Sequence, residues 1–316
     1  MLRKKNIVLN GKKSDGKEML QINDEIKLFL SDETFEKFTG QKVVANGEQA
    51  KAVVNTGISK QSLESYHKAY QELKNLRIVY ENEDILVVNK PAGVLSQKAD
   101  PTDVSVNEWL IGYMLDKGDI SANELATFKP SICNRLDRNT SGMVVCGKSL
   151  AGSQLMSQLI KEKTLEKYYV CIVGGQVDLN TRVTGYLYKK EAANQVVIYQ
   201  NEQDIPKSQK KDAVFIDTAF ETLQKANDLT KLEVQLFTGK THQIRAHLAS
   251  LGHPILGDGK YGYEKLNREY RKAGVKAQLL HAKRLVFPHI ADERFHELSG
   301  MTLVCEEPEL FKELMD

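Results

Sequence analysis

The stretch from Asn134 to Cys146 reads NRLDRNTSG followed directly by MVVC. A short polar loop therefore opens into an apolar strand, and Asp137 is the one carboxylate in that loop. Loops at the rim of a rigid sheet often present catalytic side chains. The neighbouring Arg135 and Arg138 should favour the charged form of Asp137, which suits a nucleophile or a base. The same residue types also form ordinary turns and solvated ion pairs, so the loop alone does not establish catalysis.

Apolar patterning on both sides of this loop predicts the rest of the fold. Strands are predicted at 85–88, 168–173, 196–199, 232–237, 284–287 and 301–305, and helices at 60–74, 106–115, 150–161 and 241–251. The strands outnumber the helices and do not alternate regularly with them. The sequence therefore predicts an α+β fold with a mixed, mainly antiparallel β-sheet and flanking helices, rather than a doubly wound parallel sheet.

The chain has 316 residues, enough for one large domain and a small one. We expect a small N-terminal module at 1–35, a linker ending in a helix at 36–76, and a catalytic domain at 77–316. The module contains Asn10-Gly11, a strong hairpin signal, and an alternating strand at 25–30.

Composition excludes several classes of protein. No stretch approaches the roughly 20 apolar residues that cross a bilayer, and no apolar signal segment opens the chain. The four cysteines lack C-x-x-C spacing, which argues against a zinc cluster or a disulfide framework and fits the cytoplasm. The net charge is only +2. Basic clusters are nevertheless segregated from acidic ones, so one face could still meet a phosphate backbone, although each cluster alone is typical of a solvated helix face.

A second polar motif, TGKTHQIRAHL, spans 238–248. Helical spacing of its apolar residues places His242 and Arg245 together near the start of a helix. The glycine spacing of a phosphate-binding loop is missing. A metal site is also disfavoured, because the histidines lack i,i+4 spacing and an accompanying carboxylate.

Together these segments resemble a known family. The loop at 134–142 is similar to the H-R-L-D-x-x-T-S-G signature of the pseudouridine synthases related to the bacterial RluA, RluC and RluD enzymes, with Asn134 where that pattern has His. The segment at 238–248 is similar to the family's T-G-R-T-H-Q-I-R-x-H-L, and KYYVCIVG at 167–174 to its K-x-Y-x-A-x-V-x-G strand. LVVNKPAG at 86–93 and LHA at 280–282 match more weakly. The N-terminal residues resemble the second half of the RNA-binding module named after ribosomal protein S-four, so we expect this module to be truncated or incomplete.

The resemblance implies a site and a reaction. Asp137 would be the catalytic nucleophile or base, Arg245 would pair with it as a bidentate guanidinium, and Tyr169 would pack on the target base and help to remove its C5 proton. Further contacts to substrate RNA are expected from Asn134, Arg135, Arg138, Thr140, Lys167 and His242. His281 is interpreted as structural or close to the RNA.

The expected function is isomerisation of uridine to pseudouridine in a structured RNA, most naturally large-subunit ribosomal RNA, with transfer RNA as the second choice. The reaction is internal to one nucleotide, so no metal or organic cofactor is expected, and we expect a cytoplasmic monomer. Attack on the ribose C1′ and abstraction of the 2′ proton both remain open. A hydrolytic glycosidase would need a second carboxylate. A non-catalytic RNA- or ribosome-binding protein would tolerate loss of Asp137.

Overall fold

The computed structural model describes residues 7–13, 24–28, 58–190 and 195–316. Contacts divide the chain into two units, Met1–Gly57 and Ile58–Asp316. The first contains three short antiparallel strands, β1 (Ile7–Leu9), β2 (Lys12–Lys13) and β3 (Ile26–Leu28), in the order β2-β1-β3. Asn10 and Gly11 form the predicted turn with φ of 46° and 76°. Residues 1–6, 14–23 and 29–35 of the expected N-terminal module lie outside the described residues, and the RNA-binding module stays a prediction.

The second unit is built around an 11-stranded sheet. Its strands are β4 (Arg77–Glu81), β5 (Ile85–Lys90), β6 (Ser131–Ile132), β7 (Ser141–Gly147), β8 (Glu166–Gly174), β9 (Thr181–Lys190), β10 (Gln195–Tyr199), β11 (Val214–Ala226), β12 (Leu229–Leu236), β13 (Leu280–Val286) and β14 (Thr302–Val304). Its helices are α1 (Lys60–Glu72), α2 (Val106–Lys117), α3 (Leu150–Glu162), α4 (Gln243–Ser250), α5 (Glu264–Tyr270) and α6 (Glu309–Glu313).

The sheet is mixed and mainly antiparallel, which confirms the predicted fold class. Its main path runs β10-β9-β11-β12-β8-β13-β7-β5-β4, with β14 paired to β13 and β6 paired to β7. Within this path β13 pairs with β7 in parallel and with β8 in antiparallel fashion. The candidate catalytic loop enters the sheet at this parallel pairing, because β7 begins at Ser141, four residues after Asp137.

The parallel pairing requires a glycine at position 142. Gly142 has φ of 109°, and a Cβ there would overlap the backbone N and O of Ala282 on β13. We expect Gly142→Ala to lower the free energy of unfolding by about 2–4 kcal/mol, through backbone strain and overpacking. Gly118→Ala is the matched control, since φ is 80° there but the space around it is open. Urea denaturation measures the free energy of unfolding of both variants. If both lost the same amount, the close approach of residue 142 to Ala282 would be contradicted.

The predicted elements are largely observed, but β4, β6, β9, β11, α5 and α6 were not predicted. Among the strands that the structure describes, β9 and β11 are the longest. The predicted helix at 60–74 is observed as α1, and it packs on α2, where Gly112 lets the backbone of Tyr66 approach closely. This helix therefore lies in the same compact unit as the sheet. The limits 1–35, 36–76 and 77–316 stay a prediction. In the described parts of the chain, every helix is too short or too polar to cross a bilayer.

Candidate active site

Asp137 lies in a loop that the surrounding backbone holds at several points. The hydroxyl of Ser96 donates to the carbonyl of Leu136 at 2.9 Å and accepts the N–H of the same residue at 3.0 Å. The Asn134 amide accepts from the N–H of Val145 at 2.7 Å and donates to the carbonyl of Met143 at 3.3 Å. Asn134 therefore ties the loop to β7, which is the capping role that an asparagine can fill in place of histidine.

Lys90, at the end of β5, holds the Asp137 loop through hydrogen bonds to backbone carbonyls. Its side chain is fully buried, and its Nζ donates to the carbonyls of Pro91, Val94 and Arg138 at 2.8–3.0 Å. Burial lowers the pKa of Lys90 to about 7, and the nearby charge of Asp137 opposes that shift. Three carbonyl acceptors satisfy all three N–H groups of an ammonium ion, so Lys90 joins the K-P-x-G segment to the Asp137 loop.

Arg245 reaches Asp137 from the other half of the sheet. Its Nη1 lies 2.8 Å from Oδ2 of Asp137, although the two residues are 108 positions apart. The guanidinium also binds Asp258 through two bonds, Nε to Oδ2 at 2.7 Å and Nη2 to Oδ1 at 2.9 Å. The bidentate partner of Arg245 is therefore Asp258, and the expectation of a bidentate pair with Asp137 is wrong.

This arrangement fixes the charge state of the buried pair. Burial alone would lower the pKa of Arg245, but its bonds to Asp258 and Asp137 outweigh that effect and raise it above its usual range. Burial would likewise raise the pKa of the Asp258 carboxyl, and Arg245 holds it below its usual range. The N–H groups of Lys260 and Tyr261 also donate to Asp258. A rigid, charged guanidinium thus presents its Nη1 to Asp137.

The helix α4 that carries Arg245 begins two residues later than its sequence pattern suggested. His242 is the N-cap residue, in a left-handed conformation with φ of 54°, rather than part of the helix. The side chain of Gln243 fixes this turn by accepting from Thr238 and Lys240 and donating to Thr218. The apolar face of α4 packs into the core, which leaves Arg245 facing the Asp137 loop.

His242 nevertheless lies beside the carboxylate, with Nε2 3.9 Å from Oδ2 of Asp137. Its Nδ1 is 3.0 Å from the hydroxyl of Tyr261, which also accepts the N–H of Val196. Burial lowers the pKa of His242, and the charge of Asp137 opposes this shift. A mainly neutral imidazole can therefore offer Nε2–H towards the carboxylate or towards a bound ligand.

Tyr169 lies on β8 and is 8% exposed, packed in the core cluster that also contains Leu280 and Ala282. Its side chain lines the same cleft as Asp137. Burial, and then the charge of Asp137, raise the pKa of the Tyr169 phenol. The hydroxyl therefore stays protonated near neutral pH and can act as a hydrogen-bond donor but not as a phenolate base.

The cleft around Asp137 has a volume of about 1200 Å³. Its lining includes one acidic residue, Asp137, and nine lysines and arginines: Lys98, Arg135, Arg138, Lys167, Lys240, Arg245, Lys260, Arg271 and Lys276. A concave surface with this balance raises the local concentration of anions and suits a phosphate backbone.

The remaining predicted contact residues line the same cleft but differ in what they offer. Arg135 and Arg138 are exposed, and among the described residues neither is hydrogen-bonded or ion-paired to Asp137. The expectation that these two arginines hold the carboxylate charged is therefore corrected, since Arg245 makes that contact. Thr140 is buried, and its hydroxyl accepts from Gln278 at 3.4 Å. Burial, and then the charge of Lys163, lower the pKa of the half-buried Lys167.

Sequence reasoning missed Asp258, Lys90 and Tyr261. Asp258 lies between two glycines, which reads as a turn, and only the tertiary structure shows that its side chain is fully enclosed. It does not supply the second catalytic carboxylate of a glycosidase, because Oδ2 accepts from Arg245, and Oδ1 accepts from Arg245 and from the N–H groups of Lys260 and Tyr261.

His281 supports the far end of the loop, with Nδ1 2.9 Å from the hydroxyl of Ser141. Burial lowers the pKa of His281 from 6.5 to about 4. Between these values the unfolded chain binds a proton that the folded chain does not, so the free energy of unfolding falls as the pH falls through this window. From pH 6.5 to pH 4, the free energy of unfolding of His281→Gln should fall by up to about 3 kcal/mol less than that of the unsubstituted protein.

Urea denaturation across this pH range measures the difference between His281→Gln and the unsubstituted protein. His67→Gln is the control, since His67 is exposed on α1. If the free energy of unfolding changed with pH in the same way in the unsubstituted protein and in His281→Gln, the buried imidazole would be ruled out as a source of acid sensitivity.

Comparisons with known proteins identify the family of this chain. The family model described as RNA pseudouridylate synthase matches residues 84–250. An uncharacterized RNA pseudouridine synthase of Mycoplasma genitalium is 31% identical over 236 residues, which cover 72% of this chain and 68% of that protein. The ribosomal large subunit pseudouridine synthase C of Vibrio cholerae is 30% identical over 226 residues, which cover 70% of this chain and 64% of that protein.

A solved structure shares the fold. The human protein RNA pseudouridylate synthase domain containing 4 superimposes with a TM-score of 0.56 at 19% identity, covering 79% of this chain and 94% of that one. At this identity the likeness concerns the fold alone.

Proposed function

The chain belongs to the RNA pseudouridylate synthase family, and from this premise we propose that it isomerises a uridine of large-subunit ribosomal RNA with Asp137 as the catalytic carboxylate. The 2.8 Å contact between Asp137 and Arg245, at the floor of a cleft lined by nine basic residues, is the observation that carries the proposal. The name of the Vibrio cholerae relative supports the choice of ribosomal RNA.

In this mechanism the target nucleotide leaves its stack and enters the cleft, at a cost of a few kcal/mol that stacking and base-edge contacts recover. Asp137 either attacks the ribose at C1′ or takes its 2′ proton. The bond from C1′ to N1 breaks, the uracil rotates in place, C5 bonds to C1′, and the C5 proton leaves while N1 gains a proton. The composition of the base is unchanged, so the step needs no oxidant or reductant.

Each neighbouring side chain then has a role in this proposal. Arg245, fixed by Asp258, orients Asp137. Tyr169 stacks on the uracil and assists loss of the C5 proton by hydrogen bonding, in keeping with its raised pKa. The exposed Arg135 and Arg138 are available for phosphate contacts on the strand that enters the cleft, and Lys167 extends the same basic lining.

Mapping of pseudouridines in RNA from cells with and without the gene tests the substrate. We expect one or more sites in large-subunit ribosomal RNA to disappear with the gene, and to return with the unsubstituted gene but not with Asp137→Asn. Loss of a transfer RNA site instead would move the activity to that substrate. If no site is lost in either RNA, the proposed substrate is wrong. We also propose that the protein acts in the cytoplasm and that it is a monomer. Sedimentation of the purified chain would test the oligomeric state.

A further inference from the structure

A second cavity, of about 510 Å³, adjoins the candidate active site between β6 and α3. It is lined by Ser131, Ile132, Cys133, Ser153, Ser157, Ile160 and Lys161. Three of these residues, Ile132, Cys133 and Ile160, also line the cleft that contains Asp137. The two cavities therefore share part of their lining, and we call the second one the side groove.

The floor of the side groove is apolar and its rim is polar. Ile132, Cys133 and Ile160 are half-buried and form the floor. Burial raises the pKa of the Cys133 thiol to about 11, so this floor stays uncharged. Ser157 is exposed on α3 and presents a hydroxyl at the rim. Unpaired bases can pack against apolar side chains, and hydroxyls commonly contact phosphate oxygens.

The charges around the side groove match an anionic strand. None of its seven lining residues is acidic, and Lys161 is one of them. Lys167, with no partner among the described residues, lines the adjoining part of the cleft. Glu162 also lies on α3, but its carboxylate accepts a hydrogen bond from Gln158 and it does not line either cavity.

We propose that the side groove binds the single-stranded RNA immediately next to the target uridine, on one side of it. This inference rests on the proposed function, since the target nucleotide must occupy the adjoining cleft. The apolar floor accommodates base faces only where these are not stacked in a duplex. Lys161 and Lys167 would neutralise phosphates on either side of that contact, so the side groove fixes the direction in which the strand leaves the active site.

Two substitutions on α3 test the proposal, and a third is the matched control. Ser157→Glu adds a negative charge inside the side groove, and Lys161→Glu reverses a positive one. Gln154→Glu adds the same charge as Ser157→Glu on the same helix, at an exposed position outside both cavities. All are made in full-length Asp137→Asn protein, so that RNA binding is measured without turnover.

The probes are three synthetic RNAs that carry the mapped uridine: one with both flanks, one without the 5′ flank and one without the 3′ flank. We expect Ser157→Glu and Lys161→Glu to weaken binding of the RNA with both flanks by about tenfold each. Both variants should bind one of the trimmed RNAs as the parent protein does, which identifies the flank in the side groove. Gln154→Glu should bind all three RNAs like the parent.

Two results would overturn the proposal: equal losses of affinity on all three RNAs, or equal effects of Ser157→Glu and Gln154→Glu. In either case the same substitutions in the otherwise unsubstituted enzyme would still allow isomerisation, so the proposed function would stand. Failure of the proposed function is seen separately, as absence of pseudouridine from RNA treated with the enzyme whose side groove is intact.

Discussion

Asp137→Asn is expected to lower the rate of pseudouridine formation by about 10⁴-fold or more, as removal of a nucleophile does in other enzymes. Asparagine keeps the shape of the side chain and an oxygen that can accept from Nη1 of Arg245, so the fold should be intact. Binding of substrate RNA should be unchanged or slightly tighter, because Asp137 is the only acidic residue among those that line the cleft. Single-turnover kinetics and equilibrium RNA binding measure the two effects separately.

Asp212→Asn is the control for this substitution, since Asp212 is exposed and does not line the cleft. It should retain full activity. If Asp137→Asn retained a substantial rate, the catalytic role of the carboxylate would be refuted. If it lost RNA binding as well as activity, the defect would be in assembly of the site, and chemistry could not be assigned to Asp137.

Arg245→Met is expected to lower the free energy of unfolding by about 3–5 kcal/mol, because it leaves the fully buried carboxylate of Asp258 without its counter-charge. Activity should also fall by about 10²-fold or more, since Asp137 is no longer oriented. The instructive comparison is the double variant Arg245→Met with Asp258→Asn. It removes the unpaired charge while keeping an acceptor for the N–H groups of Lys260 and Tyr261.

We expect the double variant to be more stable than Arg245→Met alone by about 1–3 kcal/mol and to keep the same loss of activity. Urea denaturation measures the stabilities, and pseudouridine formation measures the activity. A double variant less stable than the single one would mean that Asp258 stabilises the protein independently of Arg245. Recovery of activity in the double variant would mean that Arg245 has no part in orienting Asp137.

The sequence was sufficient to find the two halves of the site, and the resemblance paired them, but neither revealed how the bonds of Arg245 are divided between Asp137 and Asp258. Asp137 and Arg245 each lie in a dense local motif, and the resemblance paired them; membership of the RNA pseudouridylate synthase family is confirmed. The number of bonds in the pair was wrong, because Asp258 competes for the same guanidinium. Arg245 lies on a helix, and Asp258 lies in a turn 13 positions later. A buried charge pair of this kind has no local sequence signature.

The missed strands have a similar physical explanation. On β9 and β11 one face carries mixed polar and aromatic residues, such as Arg182, Tyr186 and Asp217, so a simple apolar run is absent. The antiparallel pairing of these strands, which matches Tyr186 with Phe215, is specified by partners far along the chain. Helix starts were predicted to within one or two residues, and His242 was misplaced because its left-handed conformation depends on the contacts of the Gln243 side chain.

The position of β13 has a consequence for the order in which the protein becomes active. This strand, Leu280–Val286, lies between β8 and β7 and joins the half-sheet that presents Asp137 to the half-sheet that carries Tyr169. During synthesis the ribosome delivers both half-sheets well before it delivers their connection. A nascent chain halted before residue 280 would contain both half-sheets but not β13, the strand that joins them. The protein should therefore become catalytically active only when translation is nearly complete.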